Sequence, residues 1–389
     1  MNFETHIDCN PNINELPLEV VERKGLGHPD TICDLLVERI SADLANYYQK
    51  RCGEILHYNI DKALLLAGNS SPQFLGGKIL VPAQLYLGDC ATTSFNGQIL
   101  KLDGLIENSM SSWLIENLRY LRLGENLEWK NKIRQGAMSL SSTEKKNVAN
   151  DTSVGIGYWP LSSLEKLVLE IEWLLNSKNY KKIFPELGED IKVMGIRHFK
   201  TVEIILACAI VDRTISSASD YFEKKKLVLQ KLQSDLLEKY APQFSISFSF
   251  NNLDDPSAGL NGLYLTVTGL SCESGDSGQV GRGNRISGLI SFMRPQTMEA
   301  WAGKNFKTHV GRIYNFAAQD LAKAIIKELE EVNESTVTLV GKIGAPVNTP
   351  LYIFCDFKIR SGNELHIKEK VLITLKKLIN SGKINSLGI

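Results

Sequence analysis

Hydrophobic residues follow two different periods along this chain, and the two periods alternate without a regular order. Between residues 163 and 176, leucine, valine and isoleucine recur at the spacing of one helical face. Residues 245–250 instead alternate strictly between serine and a hydrophobic side chain, which is the pattern of a half-buried strand. A chain of 389 residues that mixes both patterns is predicted to be an α+β protein with two or three domains.

The same two patterns predict the remaining elements. Helices are predicted over residues 31–50, 105–118, 163–176, 223–240, 310–332 and 365–380. Strands are predicted over residues 55–67, 78–87, 245–250, 263–268, 336–341 and 351–357. Residues 202–211 fit a strand or a helix, and a strand that leads into a helix is favoured. Ser162 or Ser163 is expected to cap the helix at 163–176. Segment 119–150 is polar and weakly periodic, and a loop of this length is typical of a lid, a binding loop or disorder. We predict that it is a mobile gate over a site, ordered by ligand.

Charge and cysteine content argue against several classes of protein. The chain has 44 basic and 44 acidic residues, so general binding to nucleic acid, which requires a basic surface, is not expected. The seven cysteines are scattered without a Cys-x-x-Cys pair, which argues against zinc and disulfide frameworks and favours a reducing compartment. Long apolar runs and signal-peptide features are absent from the sequence. We therefore expect a cytoplasmic protein with no membrane partner.

Glycine and basic residues concentrate in the last third of the chain. Four glycines surround Asp276, Arg282 and Arg285 within residues 275–285. The basic residues that follow include Lys304, His309 and Arg312. Glycine lets backbone amides approach an anion, Arg and Lys neutralise phosphate oxygens, and an isolated aspartate suits a Mg²⁺ bridge. The cluster predicts a polyphosphate clamp, and therefore a nucleotide ligand, although the Walker A spacing is absent.

A second candidate site, Gly27-His28-Pro29-Asp30, stands directly before the helix predicted at 31–50. One interpretation is structural, with Asp30 capping the helix and Pro29 bending the chain into it. The other is functional, because a helix N-terminus favours anions. His28 would then touch a phosphate or a leaving oxygen, and Asp30 would hold a cation. Capping and metal binding compete for the same carboxylate, so Asp30 cannot do both fully.

The motif His57-x-Asn59-x-Asp61-Lys62 lies within a predicted strand. A period of two places His57, Asn59 and Asp61 on one face, with Lys62 opposite or at the strand end. Polar residues on one face would be costly if they were buried without partners, so this face either meets solvent or lines a site. The apolar residues that follow favour a site.

Two further acidic residues carry weaker signals. Asp151 fits a turn before a strand, or alternatively an ion pair with an amino group. Asp190 fits an exposed strand equally well. Neither residue indicates a function without the other motifs.

Taken in order, five motifs resemble those of the archaeal-type methionine adenosyltransferases, or S-adenosylmethionine synthetases. They are Gly27–Asp30, His57–Lys62, Asp151–Tyr158, Gly188–Arg197, and Gly275–Arg285 with Gly303–Tyr314. The resemblance runs from about residue 17 to about residue 355. It implies three similar sheet-and-helix domains related by pseudo-threefold symmetry. Along the chain we expect an N-terminal region 1–150, a middle region 151–260 and a C-terminal region 261–389, with interleaved domains.

The resemblance also implies a reaction and its partners. The sulfur of L-methionine attacks C5′ of ATP, and the intact triphosphate leaves and is then hydrolysed to pyrophosphate and phosphate. Mg²⁺ and K⁺ are the implied cofactors, and the implied assembly is a homodimer or a dimer of dimers with active sites at the interface. A neutral thioether has no proton to lose, so the chemistry needs no base, and catalysis must be electrostatic and positional.

The resemblance implies a role for individual residues of the matched motifs. The catalytic residues implied in this way are His28, Lys192 and Arg282. Those implied for ATP and its phosphates are Asn59, Asp61, Lys62, Asp190, Asn284, Arg285, Lys304, His309 and Arg312. Methionine would be bound by Asp151 and Gln135, and Mg²⁺ by Asp30 and Asp276.

Several positions depart from the family pattern. Asn69 stands where the family usually has Arg, and Leu75 where it usually has Gly. Ala137 and Ser139 replace a Ser and an Asp in a segment that helps to form the amino-acid side of the family's pocket. Three functions therefore stay open from sequence: a methionine adenosyltransferase, a relative that uses another acceptor or only cleaves triphosphate, and a non-catalytic nucleotide-binding or regulatory paralogue.

Overall fold

In the computed structural model, which describes residues 1–137, 140 and 143–380, three main sheets are each covered by helices. Each sheet collects strands from distant parts of the chain. The predicted regions 1–150, 151–260 and 261–389 each supply strands to more than one sheet. The three sheet-and-helix units confirm the predicted α+β class.

Sheet 1 joins the two ends of the described chain. Its strands, in spatial order, are β1 (Asn2–Ile7), β18 (Tyr352–Ile359), β17 (Val332–Val340) and β10 (Val154–Trp159). Strands β1 and β18 run parallel, whereas the other neighbours are antiparallel. Helices α7 (Val310–Glu328) and α8 (Glu364–Asn380) pack on this sheet and complete its hydrophobic core.

Sheet 2 lies in the middle of the fold. Its strands, in spatial order, are β13 (Ser245–Phe250), β12 (Thr201–Val211), β11 (Leu187–His198), β2 (Leu18–Lys24) and β16 (Ile290–Ser291), with β14 (Leu265–Thr266) also paired to β12. Its core is shared with α4 (Ser163–Asn176), α5 (Lys178–Ile183) and α6 (Ala218–Tyr240).

Sheet 3 carries much of the candidate site. Its strands, in spatial order, are β15 (Gly278–Gln279), β3 (Tyr58–Leu66), β6 (Ala83–Ala91) and β9 (Leu127–Asn131). It packs on α1 (Pro29–Cys52) and α2 (Asp103–Asn117). Smaller elements complete the fold: the pair β4 (Asn69–Ser71) and β5 (Lys78–Val81), the pair β7 (Ser94–Phe95) and β8 (Gln98–Ile99), and α3 (Thr143–Lys146).

Helix α4 shows how local sequence sets an element. The Ser162 hydroxyl accepts a hydrogen bond from the Glu165 amide at 2.9 Å, and the Glu165 carboxylate accepts one from the Ser162 amide at 2.7 Å. This reciprocal pair satisfies two of the free amides at the helix start. The prediction of a serine cap is confirmed, with Ser162 in that role.

Glu165 also anchors a buried ion network between the units. The Arg294 guanidinium lies 3.0 Å from the Glu165 carboxylate and 3.2 Å from that of Glu334 on β17. All three side chains are buried or nearly so. Because a buried charge without a partner is expensive, this network ties α4 to sheet 1.

Proline and pairing geometry explain where the predicted elements were wrong. The strand predicted at 78–87 is interrupted at Pro82, which has no amide hydrogen to donate, and becomes β5 and β6. The helix predicted at 310–332 ends at Glu328, and Val332 already belongs to β17. Segment 119–150, interpreted as a loop, contains β9 and α3. The other predicted helices formed within a few residues of the expected bounds, except that α6 begins earlier, at Ala218.

Leu75 adopts a backbone conformation that is unusual for a residue with a side chain. Its φ of +66° lies in the left-handed region, where a glycine is free of strain and a leucine is not. Nearby, the Asp212 carboxylate accepts hydrogen bonds from the amides of Gln73 at 3.2 Å and Gly77 at 2.7 Å. The loop therefore keeps its form through Asp212 although leucine replaces the family's usual glycine.

No helix in the described part of the chain combines the length and the apolar character needed to cross a lipid bilayer.

Candidate active site

Helix α1 begins at Pro29, and His28 is its cap. The Nδ1 atom of His28 accepts a hydrogen bond from the Asp30 amide at 3.2 Å, so the proton of the neutral ring must lie on Nε2. Nε2 lies 3.8 Å from the Asp276 carboxylate. The interpretation of Asp30 as the cap was wrong, because Asp30 already belongs to the first turn.

The Asp30 carboxylate instead holds two other parts of the chain. It accepts a hydrogen bond from the Gln279 amide at 2.8 Å and pairs with the Lys24 ammonium, also at 2.8 Å. The same ammonium donates to the Arg282 carbonyl at 2.7 Å. Lys24, at the end of β2, therefore ties the start of α1 to the glycine-rich loop.

His28 is held in its neutral form. Burial, together with the charges of Lys24 and Lys192, outweighs the attraction of Asp30 and lowers the pKa of His28 from 6.5 to about 4. Near neutral pH the ring therefore presents an N–H donor and no positive charge.

The loop from Gly275 to Arg285 is fixed by α1. The amide of Gly281 donates to the buried Asp34 carboxylate at 2.8 Å, and a Cβ on Gly283 would lie 2.2 Å from the same carboxylate. Only glycine allows this close approach. Arg285 donates to the carbonyls of Gly281 at 2.5 Å and Gly283 at 2.7 Å. Arg285 thus holds the loop from inside.

The side chains of Asn284 and Arg282 in the same loop differ in their surroundings. Asn284 exchanges two hydrogen bonds with the backbone of Lys24, at 3.0 Å and 2.7 Å. The Arg282 side chain is exposed. Asn284 and Arg285 both bind backbone groups, so their side chains are engaged within the loop. The charged group of Arg282, the third predicted residue of this loop, is available to a ligand.

Asp61 is the centre of a compact charged cluster on β3. Its carboxylate contacts the ammonium groups of Lys62 and Lys304 and accepts from the Asn59 amide at 3.1 Å. Lys304 is buried and lies 2.8 Å from the Glu299 carboxylate. Although burial opposes ionisation, these lysines lower the pKa of Asp61 to about 2. The cluster keeps Lys304 fixed and leaves the Lys62 side chain largely exposed.

His309 repeats the arrangement of His28 at the start of α7. Its Nδ1 accepts from the Gly311 amide at 3.2 Å, and its Nε2 lies 3.8 Å from the Asp151 carboxylate. Burial, followed by the charge of Lys304, lowers the pKa of His309 to about 3. Both histidines therefore present a neutral N–H toward an exposed or half-exposed carboxylate at the start of a helix.

Arg312, also in the first turn of α7, is held by an acidic and an aromatic partner. Its guanidinium donates to the Glu38 carboxylate at 3.0 Å and 2.8 Å and lies 3.7 Å from the centre of the Phe306 ring. The Arg312 side chain is buried, with one terminal nitrogen unpaired.

A cleft of about 690 Å³ opens beside these residues. Its walls include Asp61, Lys62, Arg282, Glu299 and Lys304. Motifs more than 200 residues apart in sequence, on β3 and in the two loops before α7, therefore meet at one surface. The cleft combines exposed cations with space for a ligand.

Lys192 belongs to the same region. It is paired in register with Lys24 across β11 and β2, its charge acts on His28, and its ammonium lies 3.0 Å from the Glu22 carboxylate. The Lys192 side chain is 40% exposed, so a ligand can reach it. His28, Lys192 and the loop of Arg282 are thus joined through Lys24 in one part of a single chain.

The remaining predicted residues lie in different environments. Asp190 is buried on β11 and accepts a hydrogen bond from the Ser271 amide at 3.0 Å, which rules out the alternative of an exposed strand. Burial raises the pKa of Asp190 to about 6. Gln135 accepts hydrogen bonds at 2.8 Å from the Thr93 amide and hydroxyl. Ser139 lies outside the described residues.

Sequence reasoning missed four charged residues that organise this region. They are Lys24, Asp34, Glu38 and Glu299. A signal was present for Lys24, because it ends β2 three residues before Gly27 and the His28 motif. For Asp34 and Glu38 the helical spacing of four from Asp30 was the available signal, since it places all three carboxylates along one side of α1.

Asp30 and Asp276 fit a magnesium ion unequally. Mg²⁺ in enzymes commonly uses one or two carboxylates and completes its shell with water and phosphate. The Asp276 side chain is 54% exposed and suits this role. Asp30 suits this role only if its ion pair with Lys24 breaks. Within the described residues, no group of three or more His, Cys, Asp or Glu side chains is arranged to hold a metal ion.

The fold matches that of a solved structure. A solved structure described as an unusual S-adenosylmethionine synthetase from Campylobacter jejuni superposes with a TM-score of 0.62 over 95% of this chain and 88% of the other, at 16% sequence identity. This likeness establishes the fold alone.

Sequence comparison goes further. A profile of the S-adenosylmethionine synthetase (AdoMet synthetase) family matches residues 5–385. The "Probable S-adenosylmethionine synthase" of Aquifex aeolicus is 41% identical over 92% of this chain and 90% of its own length. The S-adenosylmethionine synthase of Aeropyrum pernix is 40% identical over 91% and 89%. The chain belongs to the S-adenosylmethionine synthetase family, as the sequence motifs predicted.

Proposed function

We propose that this protein is a methionine adenosyltransferase that joins L-methionine to the adenosyl group of ATP and releases pyrophosphate and phosphate. Family membership over residues 5–385, together with relatives at about 40% identity that are named S-adenosylmethionine synthases, supports this activity. The structural observation that carries it is the meeting of Lys62, Arg282 and Lys304 at one cleft beside His28 and Lys192.

The reaction needs charge stabilisation more than proton transfer. The thioether sulfur attacks C5′, the bond from C5′ to the triphosphate oxygen breaks, and the triphosphate departs with both bonding electrons. Fixed cations aimed at the developing charge lower the barrier to such a step. Lys192 and Arg282, both accessible, would take this role, and His28 would donate its Nε2 hydrogen to the leaving oxygen.

Other residues would hold the triphosphate and the amino acid. Lys62 faces the cleft with an exposed ammonium, and Lys304 is held in the cleft wall by Asp61 and Glu299. Both would bind phosphate oxygens. Asp151, with a half-exposed carboxylate, would pair with the ammonium of methionine.

Other predicted ligands would act mainly through the site's framework. Asn59 and Asp61 would position Lys304, whereas Asn284 and Arg285 would keep the glycine-rich loop in place. Asp190, His309, Arg312 and Gln135 remain proposed contacts of the substrates. Each is supported by the family resemblance.

The cofactors and the assembly are part of the proposal. Mg²⁺ would be held by Asp276, and by Asp30 once Lys24 releases it, and would neutralise charge on the triphosphate oxygens. K⁺ is proposed from the family resemblance, without an assigned ligand set. A homodimer or dimer of dimers with shared active sites, located in the cytoplasm, completes the proposed state.

Product analysis tests the activity and separates it from the two alternatives. Purified protein with ATP, Mg²⁺ and L-methionine should give S-adenosylmethionine, pyrophosphate and phosphate by mass spectrometry. Triphosphate cleavage with no alkylated product would favour the altered-acceptor relative, and a panel of thioethers and amino acids would identify the acceptor. Binding of ATP without turnover would favour the paralogue.

A lysine variant tests the proposed chemistry. Lys192→Met should lower kcat by a factor on the order of 10²–10³, because one stabilising cation is lost from the transition state. Lys166→Met, at an exposed lysine of α4, is the matched control and should leave the rate unchanged. Equal rates for both variants would contradict the role of Lys192.

A further inference from the structure

One sequence motif contributes a residue that the proposed reaction does not use. His57 opens the motif that continues to Asn59 and Asp61, but its ring turns to a different set of partners. Nδ1 lies 2.9 Å from the Glu144 carboxylate, and Nε2 lies 3.7 Å from the sulfur of Cys90. A thiol, an imidazole and a carboxylate thus stand in line outside the cleft walls.

The carboxylate end of this line is held by two threonine hydroxyl groups. Glu144 is 2% exposed and is contacted by the hydroxyl groups of Thr143 at 3.1 Å and Thr308 at 3.2 Å. The 2.9 Å contact with this carboxylate favours the tautomer in which Nδ1 of His57 carries the hydrogen and donates it. Nε2 of the neutral ring is then free to accept the proton of Cys90.

We propose that Cys90 is an activated thiol, deprotonated by His57 and oxidised by peroxides to a sulfenic acid. In this step the Cys90 sulfur attacks one peroxide oxygen, so an S–O bond forms and the O–O bond breaks. The other oxygen leaves as hydroxide and takes the proton from His57, giving water. Sulfur is oxidised by two electrons, and the peroxide is reduced by two.

The local environment supports both activation and access. Contacts with Cys90 and Glu144 outweigh burial and raise the pKa of His57 to about 9, so the ring readily holds a proton. Cys90 is half-buried, whereas Cys33, Cys208, Cys272 and Cys355 are fully buried. Cys9 is exposed and its sulfur lies 3.9 Å from the Ile7 carbonyl, which makes it a useful internal reference.

Space beside the sulfur is provided by Gly136. A Cβ at this position would lie 3.5 Å from the Cys90 sulfur and 2.9 Å from the His57 ring. Residue 134 is paired with Cys90 as a single β-bridge. An oxygen added to the sulfur would press on this backbone, and loss of the thiol contact would loosen Glu144 from Thr308, the residue before His309.

Thiol labelling of the full-length protein tests the activation. A pulse of iodoacetamide at neutral pH, read by peptide mass spectrometry, compares Cys90 in the native protein with Cys90 in urea, with Cys9 as reference. A free cysteine is only a few per cent thiolate at pH 7, so activation should make native Cys90 react about tenfold faster than the unfolded residue. Slower labelling in the native state would overturn the proposal.

One variant tests the line of contacts. Glu144→Gln preserves shape but removes the charge, and should lower the labelling rate of native Cys90 severalfold while leaving Cys9 unchanged. An unchanged Cys90 rate would contradict the proposed relay. The comparison of native with unfolded wild-type protein needs no variant, so the test stands even if Glu144→Gln fails to fold.

Peroxide treatment tests the oxidation itself. A 1,3-diketone probe for sulfenic acid should label Cys90 after a brief exposure to hydrogen peroxide, and Cys90→Ala should lose this signal. The same treatment should reduce adenosyl transfer in the wild type but spare Cys90→Ala, which should have the wild-type rate beforehand. A sulfenic acid found only at other cysteines would refute the assignment, independently of the proposed function.

Discussion

The protonation of His28 gives a prediction that can be worked out from the structure. The pKa of this histidine falls from 6.5 to about 4 on folding because the ring is buried and faces the charges of Lys24 and Lys192. The native state therefore binds the proton more weakly than the unfolded chain. The resulting stability is fully present above pH 6.5 and is lost as the pH falls toward 4. One pKa unit corresponds to about 1.36 kcal/mol, so the loss between pH 7 and pH 4 is about 3 kcal/mol.

The variant His28→Asn isolates this contribution. An asparagine side chain can still accept from the amide in the first turn, so the helix cap is retained while the titrating ring is removed. Wild type should lose about 3 kcal/mol more unfolding free energy than the variant between pH 7 and pH 4. Urea unfolding of the substrate-free protein at several pH values measures the difference. His366→Asn, at an exposed histidine of α8, should retain the wild-type pH dependence.

A second measurement addresses the ring directly. In protein labelled at histidine Cε1, the NMR signal that disappears in His28→Asn should titrate with a midpoint near 4. A midpoint near 6.5, or parallel pH profiles for wild type and variant, would refute the reasoning. His28 would then carry charge at neutral pH, and its proposed role as a neutral donor to the leaving triphosphate would have to be abandoned.

Three other outcomes are expected. Arg294→Met should lower the unfolding free energy by about 3–5 kcal/mol, because Glu165 loses its buried partner. Adding Glu165→Gln should restore part of this stability in thermal melts. An unchanged melting temperature in the double variant would argue against the ion pair as the cause. Leu75→Gly should raise stability by about 0.5–1 kcal/mol, since relief of the left-handed strain exceeds the added chain entropy; a lower melting temperature would contradict this. Segment 119–150, if it is a gate, should be cut first in limited proteolysis and more slowly with an ATP analogue and Mg²⁺, whereas equal cutting in both states would count against a gate.

Features that depend on residues close together in the sequence were predicted well. Ser162 and Glu165 sit three residues apart, and that spacing alone predicts the capping box at the start of α4. The motifs that carry the proposed site residues are also local, since each has its own glycine, proline or charge pattern. His28 and Arg282 stand in two of these motifs, whereas Lys24, which lies between them in the fold, stands in neither.

Long-range pairing was the part that sequence could not supply. Strand β2 reads as a mixed polar segment, yet it lies inside sheet 2 because Glu19 pairs with Arg197 of β11 and Glu22 with Lys192. The burial of such charges depends on partners more than 150 residues away. For the same reason, the sequence did not show that Asp190 is buried.

The pairing of β1 with β18 has a consequence for biosynthesis. The first strand emerges from the ribosome roughly 350 residues before the strand that must lie beside it, a wait of roughly 20–70 s at ordinary rates of translation. During this interval its backbone amides and carbonyls have no native neighbour in the sheet. Pairing of the first strand is thus a late event in folding, and a nascent chain stalled before residue 350 would leave that strand open to chaperones or to other chains.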